Sequence, residues 1–449
     1  MIDGGLTIFE RVKSLGLNFS YLMTSSIVTL LLGVVTNGLL ARGLGAIDLG
    51  ILVAIQVYGT TVTKIVSFEF WQPVVKFGAE AIKDRAIGEL RRIIWVGLMM
   101  DMAMAIIGGV VGLVLANFIA KYFGLSAEQS ELVWIYCFSI FFTGSGTAMG
   151  LLRLYKRFAL VSLMQILASV VACAAAIVLF VLNAELITYV IAFAMVNALR
   201  SIFVIVAALL KCGSILIHTS NSSSDRSWGE VALRIWRFGR VTWVSSTLGA
   251  LRSNADIYIL GGVFSQAEIG LYAAMKRLAM PIGTLAQHMR VVLFSEYSGI
   301  FANSKTNGVR EDKGLLGILT LANIIIALIV ILAAWVLHDI LIKFVFGAEF
   351  LPAREIFLVL VAFFAIFFVN GNWVSYLVGR DGPNFLIWMN AGALGITVIG
   401  SFVLLNSFDT IAVALANLSG SLFCSLVCVW MLKDELRLVA KDYLLKIAK

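Results

Sequence analysis

Residues 93–120 read IIWVGLMMDMAMAIIGGVVGLVLANFIA, an unbroken apolar run with one charged side chain, Asp101. As a helix it would be about 42 Å long at 1.5 Å per residue, more than the roughly 30 Å of a bilayer's hydrocarbon core. It carries no polar stripe that water could cover, so it reads as a membrane span. Working outward, eleven further runs of this kind appear, at about 17–40, 49–70, 132–152, 157–182, 186–210, 239–262, 268–296, 314–337, 354–378, 384–407 and 410–432. Only helices or closed barrels satisfy their own backbone in lipid, and runs this long predict helices. The fold class is therefore an all-α polytopic membrane protein with about twelve transmembrane helices.

Composition agrees. Of 449 residues, 61% are hydrophobic and 13% charged, against about 25% charged in soluble domains. A soluble globular enzyme and a disordered chain are both excluded. Five cysteines lie in or beside apolar runs and form neither a disulfide framework nor a zinc motif, and no metal or cofactor signature is present. The formal charge of +8 reads as membrane topology and not as nucleic-acid binding, because the bases sit between the runs. Twenty-four Lys and Arg fall on the side that holds both termini, against four on the other side (Arg42, Lys121, Lys343 and Arg354). By the positive-inside rule both termini are expected in the cytoplasm. No cleavable signal peptide is read, and the first run, preceded by Arg11 and Lys13, is long enough to act as a signal anchor.

The chain repeats itself. Asp48-Leu49-Gly50-Ile51-Leu52-Val53-Ala54-Ile55 matches Glu268-Ile269-Gly270-Leu271-Tyr272-Ala273-Ala274-Met275 at an offset of 220 residues. A fainter echo joins Phe141-Phe142, Gly144 and Leu151 to Phe367-Phe368, Gly371 and Leu377. Six spans per repeat is an even number, which predicts two parallel lobes related by a pseudo-two-fold axis along the membrane normal. The expected organisation is an N-lobe (1–212), a cytoplasmic Ser-rich linker (213–236), a C-lobe (237–433) and an amphipathic tail (434–449) on the inner leaflet. Two facing lobes with a cleft between them are the architecture of an alternating-access transporter. No reaction site of an enzyme is read.

Charges inside spans are costly, so those retained are candidates for function. Six bases lie there: Lys64, Arg200, Arg252, Lys276, Arg277 and Arg290. The deep acids are Asp101 and Asp256. The surplus of bases predicts a cationic cleft suited to an anionic, amphipathic or sugar-like cargo, in which a phosphate or pyrophosphate head would meet Arg and Lys while a lipid tail stays in the bilayer. For individual residues two readings stand. Arg252 and Asp256, four apart on one helix face, either pair with each other or face a ligand. Lys64 and Asp101 stand at similar depth and are a second candidate pair. Pro281, followed by Gly283, interrupts the helix ladder of the eighth run and is a candidate hinge.

The stretch Leu40-Ala41-Arg42-Gly43-Leu44-Gly45 with Asp48-Leu49-Gly50 resembles the signature between the first two spans of bacterial polysaccharide flippases. So does Asn254-Ala255-Asp256 through Gly261-Gly262 to Glu268-Ile269-Gly270-Leu271-Tyr272-Ala273-Ala274. These are the Wzx-type transporters of the multidrug/oligosaccharidyl-lipid/polysaccharide superfamily. The resemblance implies an undecaprenyl-pyrophosphate-linked oligosaccharide moved from the inner to the outer leaflet of the bacterial plasma membrane. It also implies drive by protons, sodium or the membrane potential, without a cofactor. The product would feed O-antigen, lipopolysaccharide, capsule or exopolysaccharide synthesis, with a polysaccharide polymerase and chain-length machinery as partners beside membrane lipids. On the matching motifs it places Arg252, Asp256, Lys276 and Arg277 in the site; Lys64, Arg200 and Arg290 rest on the charge argument alone. The first span has no acid, unlike the multidrug branch, and twelve spans depart from the fourteen of the peptidoglycan-precursor branch. Two alternatives remain: a cation-coupled exporter of small amphipathic compounds, in which Asp101 or Asp256 would be the coupling acid, and a non-transporting scaffold of a polysaccharide synthesis complex.

Overall fold

The computed structural model describes residues 8–67, 70–212, 227–307, 312–381, 384–435 and 437. Most of the Ser-rich linker (213–226), most of the tail (438–449), Glu69 and Pro383 lie outside them. All regular structure among the described residues is helical. In chain order the helices are α1 (Ile8–Val66), α2 (Trp71–Lys83), α3 (Ile87–Tyr122), α4 (Ala127–Phe138), α5 (Gly146–Leu154), α6 (Phe158–Val181) and α7 (Leu186–Cys212). They continue as α8 (Trp228–Val263), α9 (Gln266–Asn307), α10 (Asp312–Val345), α11 (Arg354–Asp381), α12 (Phe385–Phe408) and α13 (Ile411–Met431).

Nine stretches among the described residues are long and apolar enough to cross a membrane. The first, Thr24–Lys83, contains most of the first apolar run and all of the second. Runs 239–262 and 268–296 fall in α8 and α9, which span 36 and 42 residues but are too polar to join the nine. Large apolar side chains cover the outer faces of the spans, among them Phe344 at 79%, Trp388 at 80% and Trp430 at 71% exposure. Such surfaces are covered by lipid, and the protein is a multi-pass membrane protein.

Two runs differ from their expected form. The first two are not separate helices with a loop: α1 passes through both, broken only at Gly45, whose φ of +68° a glycine adopts without strain. The helix restarts at Ala46, whose orphan N–H donates to Glu349 Oε1 at 3.0 Å. The run 132–152 is not continuous either. After α4 it tightens into a 3-10 turn (Ser139–Phe142), leaves helical geometry at Thr143–Ser145 and restarts as α5. Gly144 lies within the break and Gly146 opens the helix after it, and hydropathy alone hides the interruption.

The chain divides into two compact units: residues 1–44 with 52–250, and residues 45–51 with 251–449. The core of the first gathers Phe70, Val74 and Phe77 of the α2 region, Leu90 and Ile94 of α3, Leu152 of α5 and Val204 of α7. Val231 and Ile235 of α8 join it. Residues 228–236, expected as linker, are thus the opening turns of α8, with apolar positions four apart facing that core. Arg234 on the same helix pairs with Glu80 and Glu89 and lies 4.0 Å over the Phe77 ring. In the second unit Leu293, Tyr297, Leu316, Trp373, Tyr376, Met389, Cys424 and Cys428 form the core. Tyr297 donates to Asn372 Oδ1 at 2.7 Å and meets the Tyr376 ring edge-on at 5.1 Å.

Pro281 sits inside α9, which continues helically past it. The small Gly283 has a packing role: a Cβ there would come 2.5 Å from Phe364 Cδ1 of α11. All five cysteines are buried free thiols.

Candidate functional site

The polar groups of the second unit gather in two places. In the first, Asp256 of α8 is buried at 1% exposure. Its carboxylate accepts from Lys276 Nζ at 2.8 Å (Oδ1) and 2.7 Å (Oδ2), from Tyr272 Oη at 3.0 Å and from Asn417 Nδ2 at 3.2 Å. Its Oδ1 also accepts the Ile257 N–H at 2.9 Å. Lys276 donates further to the Ser253 carbonyl at 2.6 Å, and Asn417 to Tyr272 Oη at 3.1 Å. A buried ion pair is stable only when its remaining lone pairs and protons are satisfied, and here they nearly all are. The Arg252–Asp256 pair allowed by the spacing is not formed. A turn away on α8, Arg252 reaches across to Asn390 Oδ1 of α12 at 2.7 Å.

In the second place, Arg252 and Arg290 stand near enough for their charges to act on each other, with the Cys424 and Cys428 thiols in the same neighbourhood. Arg290 runs past Gly371, where a Cβ would sit 2.9 Å from its Cγ, and its guanidinium stands 5.9 Å from the centre of the Phe367 ring. Neither arginine has a carboxylate partner among the described residues. Two guanidiniums, Arg252 and Arg290, thus share one lipid-depth neighbourhood with neutral groups only: an amide, two thiols and a phenyl ring. Fixed cations without counter-ions in a membrane protein are the donor set for an anionic ligand, and guanidinium matches phosphate oxygens in pairs.

Arg277 lies half-buried on α9 beside Lys276. In the first unit, Lys64 and Arg200 are exposed on α1 and α7. Lys64 and Asp101 do not form the pair their depth suggested. Asp101, 7% exposed, instead accepts the backbone N–H of Thr147 at the start of α5, at 2.5 Å.

Three polar residues of the site escaped the sequence reading. Tyr272 was quoted only as part of a repeat, and Asn390 carries no local signal. Asn417 did carry one: it stands 220 residues after Asn197, the offset of the repeat itself. Asn197 likewise bridges to a neighbouring segment, donating to Ser139 Oγ at 3.2 Å.

The described residues thus form a helical multi-pass membrane protein with charged groups buried among its helices. The comparisons with known proteins narrow this. A family model described as polysaccharide biosynthesis protein matches residues 15–294, and the chain belongs to that family. Among solved structures, the chain is similar to an inward-facing multidrug resistance MATE family transporter of the MOP superfamily, with a TM-score of 0.75 at 13% identity over 93% of this chain and 99% of that one. It is also similar to lipid II flippase MurJ in an inward closed conformation, with a TM-score of 0.67 at 15% identity over 95% of this chain and 90% of that one. A curated relative, inner membrane protein YghQ of Escherichia coli (strain K12), is 28% identical over 148 residues, 33% of this chain. That alignment spans 42% of the relative's length. The chain is a multi-pass membrane protein of the polysaccharide biosynthesis protein family, with the fold of these transporter structures.

Proposed function

We propose that this protein is a flippase for an undecaprenyl-pyrophosphate-linked oligosaccharide, the repeat unit of an O-antigen, capsule or exopolysaccharide. It acts in the bacterial plasma membrane with both termini in the cytoplasm, and it performs no covalent chemistry. The single observation that carries this reading is the pair Arg252 and Arg290, two guanidiniums among the helices without a carboxylate partner among the described residues. A pyrophosphate supplies the missing negative charge, and its oxygens accept from both forks. A lipid-linked cargo keeps its hydrocarbon tail in the bilayer, so only the charged and sugar-bearing head has to pass the polar site. Family membership supports the same substrate class. Lys276 enters this scheme as a structural partner of Asp256, its three N–H already directed at the Asp256 carboxylate and the Ser253 carbonyl. Arg200, Lys64 and Arg277 are further cationic positions on the route. A polysaccharide polymerase and its chain-length partners would receive the product.

The test is flipping in proteoliposomes. A labelled pyrophosphate-linked oligosaccharide lipid is placed in one leaflet, and its arrival in the other is followed for the wild type and for Arg252→Gln with Arg290→Gln. The wild type is expected to move it and the doubly neutralised protein, shown to be folded by its thermal transition, to lose most of the rate. A wild type that moves no such lipid overturns the substrate class. Equal rates in the two proteins overturn the role of the arginines.

A further inference from the structure

The first unit carries a groove that the arginine site does not use. It lies between α3, α4 with the 3-10 turn that follows it, and α7, has a volume of about 670 Å³ and is open along one side. Ligand pockets of proteins fall in the same range, roughly 300–1,000 Å³. Leu113, Trp134, Phe138 and Phe142 form its walls, and Ala194 and Ala198, one turn apart on α7, leave the space between them. The lining atoms are almost all apolar. The hydroxyl on the wall, Ser139 Oγ, already accepts from Asn197 Nδ2 at 3.2 Å. All of these residues belong to the first compact unit.

A hairpin sets the polar end of this groove. Trp134 Nε1 donates to Asn117 Oδ1 at 2.9 Å, which puts residue 134 of α4 opposite residue 117 of α3. The two helices are joined by a tight turn: the Leu125 N–H donates to the Ala120 carbonyl at 2.9 Å, and Ser126 with Gln129 forms a capping box at the start of α4. Lys121 lies four residues after Asn117, and Glu131 lies three residues before Trp134. In an antiparallel pair both steps lead one turn toward the connection, so the two opposite charges stand level with each other at the end of the groove. Both side chains are exposed, and neither has an ion-pair partner among the described residues. Glu128 of α4 and Glu185, just before α7, are exposed at the same end. Along the helices that form the groove, this end therefore carries one base and three acids.

We propose that the groove binds one phospholipid with a primary-amine headgroup, of the phosphatidylethanolamine class. One acyl chain lies along the apolar walls, the phosphate faces Lys121 and the ammonium faces Glu131. The charges select this headgroup. One base accommodates one phosphate, and the acids repel the net negative charge of an anionic lipid. A primary ammonium donates charge-assisted hydrogen bonds to a carboxylate, which a quaternary ammonium cannot. Trp134 stands where the apolar groove meets its polar end, the position that suits an amphipathic ring in a membrane. The acyl chain only exchanges one apolar medium for another, so the groove supplies fit and the headgroup supplies selectivity. This site goes beyond the flippase reading and stands without it, because no cargo takes part.

Native mass spectrometry of the full chain in detergent tests the site, with phosphatidylethanolamine, phosphatidylcholine and phosphatidylglycerol of the same acyl chains offered in turn. The expected result is one copy of the ethanolamine lipid retained in preference to the other two. Glu131→Gln should lower its affinity roughly two- to fivefold, to the level of the choline lipid, and Lys121→Gln should weaken both lipids by a similar factor. Ala198→Phe fills the groove without touching a charge and should weaken all three, whereas Leu328→Phe, on the exposed face of α10, should change none. Lys121 and Glu131 are exposed, so their variants decide the matter if Ala198→Phe does not fold. Phosphatidylglycerol held as tightly as phosphatidylethanolamine overturns the proposal, and so does binding unchanged in both charge variants. Tighter binding of undecaprenyl phosphate would give the groove to an isoprenoid chain, and a dimer lost in Ala198→Phe would give it to a second copy of the chain; either overturns it too.

Discussion

Gly50 and Gly270 occupy each other's missing side chains. A Cβ on Gly50 would strike the Gln266 carbonyl oxygen and lie 3.0 Å from the Gly270 nitrogen; one on Gly270 would strike the Ala46 carbonyl oxygen and lie 3.0 Å from the Gly50 nitrogen. The two positions are the matched glycines of the internal repeat, and both fall in the second unit. Backbone thus crosses backbone where no side chain fits, the small-residue contact that allows close helix approach in membranes.

Substitution at either glycine therefore forces the crossing apart. Gly50→Ala and Gly270→Ala are each expected to cost about 1–3 kcal/mol as overpacking. Gly395→Ala, where nothing lies within 4 Å of the added carbon, should be neutral or slightly stabilising in comparison. Thermal transitions in detergent compare the three, and equal behaviour would contradict the crossing.

The Asp256–Lys276 pair makes a different kind of prediction. Asp256→Asn and Lys276→Met each leave one buried charge alone, with an expected loss of roughly 3–5 kcal/mol. The double variant removes both charges and should lose clearly less than the sum of the singles. A double-mutant cycle on unfolding measures this coupling; strict additivity would mean the pair is not formed in the membrane.

Glu349 caps a helix it does not belong to. Glu349→Ala leaves the Ala46 N–H to water and is expected to cost about 0.5–1 kcal/mol, the low end for a cap because the carboxylate is exposed. Glu349→Gln keeps an acceptor and should cost less. Amide hydrogen exchange should quicken at Ala46 and its neighbours in the alanine variant and remain slow elsewhere.

Arg290 depends on the absence of a side chain at Gly371. Gly371→Leu is expected to displace the guanidinium without altering any charge, lowering cargo affinity by about tenfold or more, as when one charge-assisted contact is lost. Arg290→Lys, which keeps the charge but not the fork, should fall between the wild type and Arg290→Gln. Binding of the lipid-linked pyrophosphate to purified protein reads both, and an unchanged affinity in Gly371→Leu would remove Arg290 from the site.

Much of this architecture was legible before any coordinates. The apolar runs predicted helices because lipid offers the backbone no hydrogen bonds, whereas the paired motifs at residues 48 and 268 read only as a repeat and gave no sign that their glycines meet. The break at Thr143–Ser145 was not legible, since Phe141, Phe142 and Leu151 keep the hydropathy high straight through it. Nor was the ownership of charges. Arg252 stands one helical turn from Asp256, and spacing alone favours their pairing as much as any other.

The amino-acid order by itself determined that this chain is helical and lies in a membrane, because runs of apolar residues longer than a bilayer is thick have no other stable solvent. It also determined which charges were exceptional, since each one buried in such a run has to be compensated. The choice of partner belonged to the tertiary structure alone. Asp256 is neutralised because α9 brings Lys276 and Tyr272 alongside and α13 adds Asn417, while Arg252 turns toward Asn390 on α12. Asp101 accepts the Thr147 N–H at the start of α5, a partner distant in sequence, and not Lys64. Hydrogen bonds and ion pairs act over a few ångströms, and only the packing of helices distant in sequence sets which groups come that close.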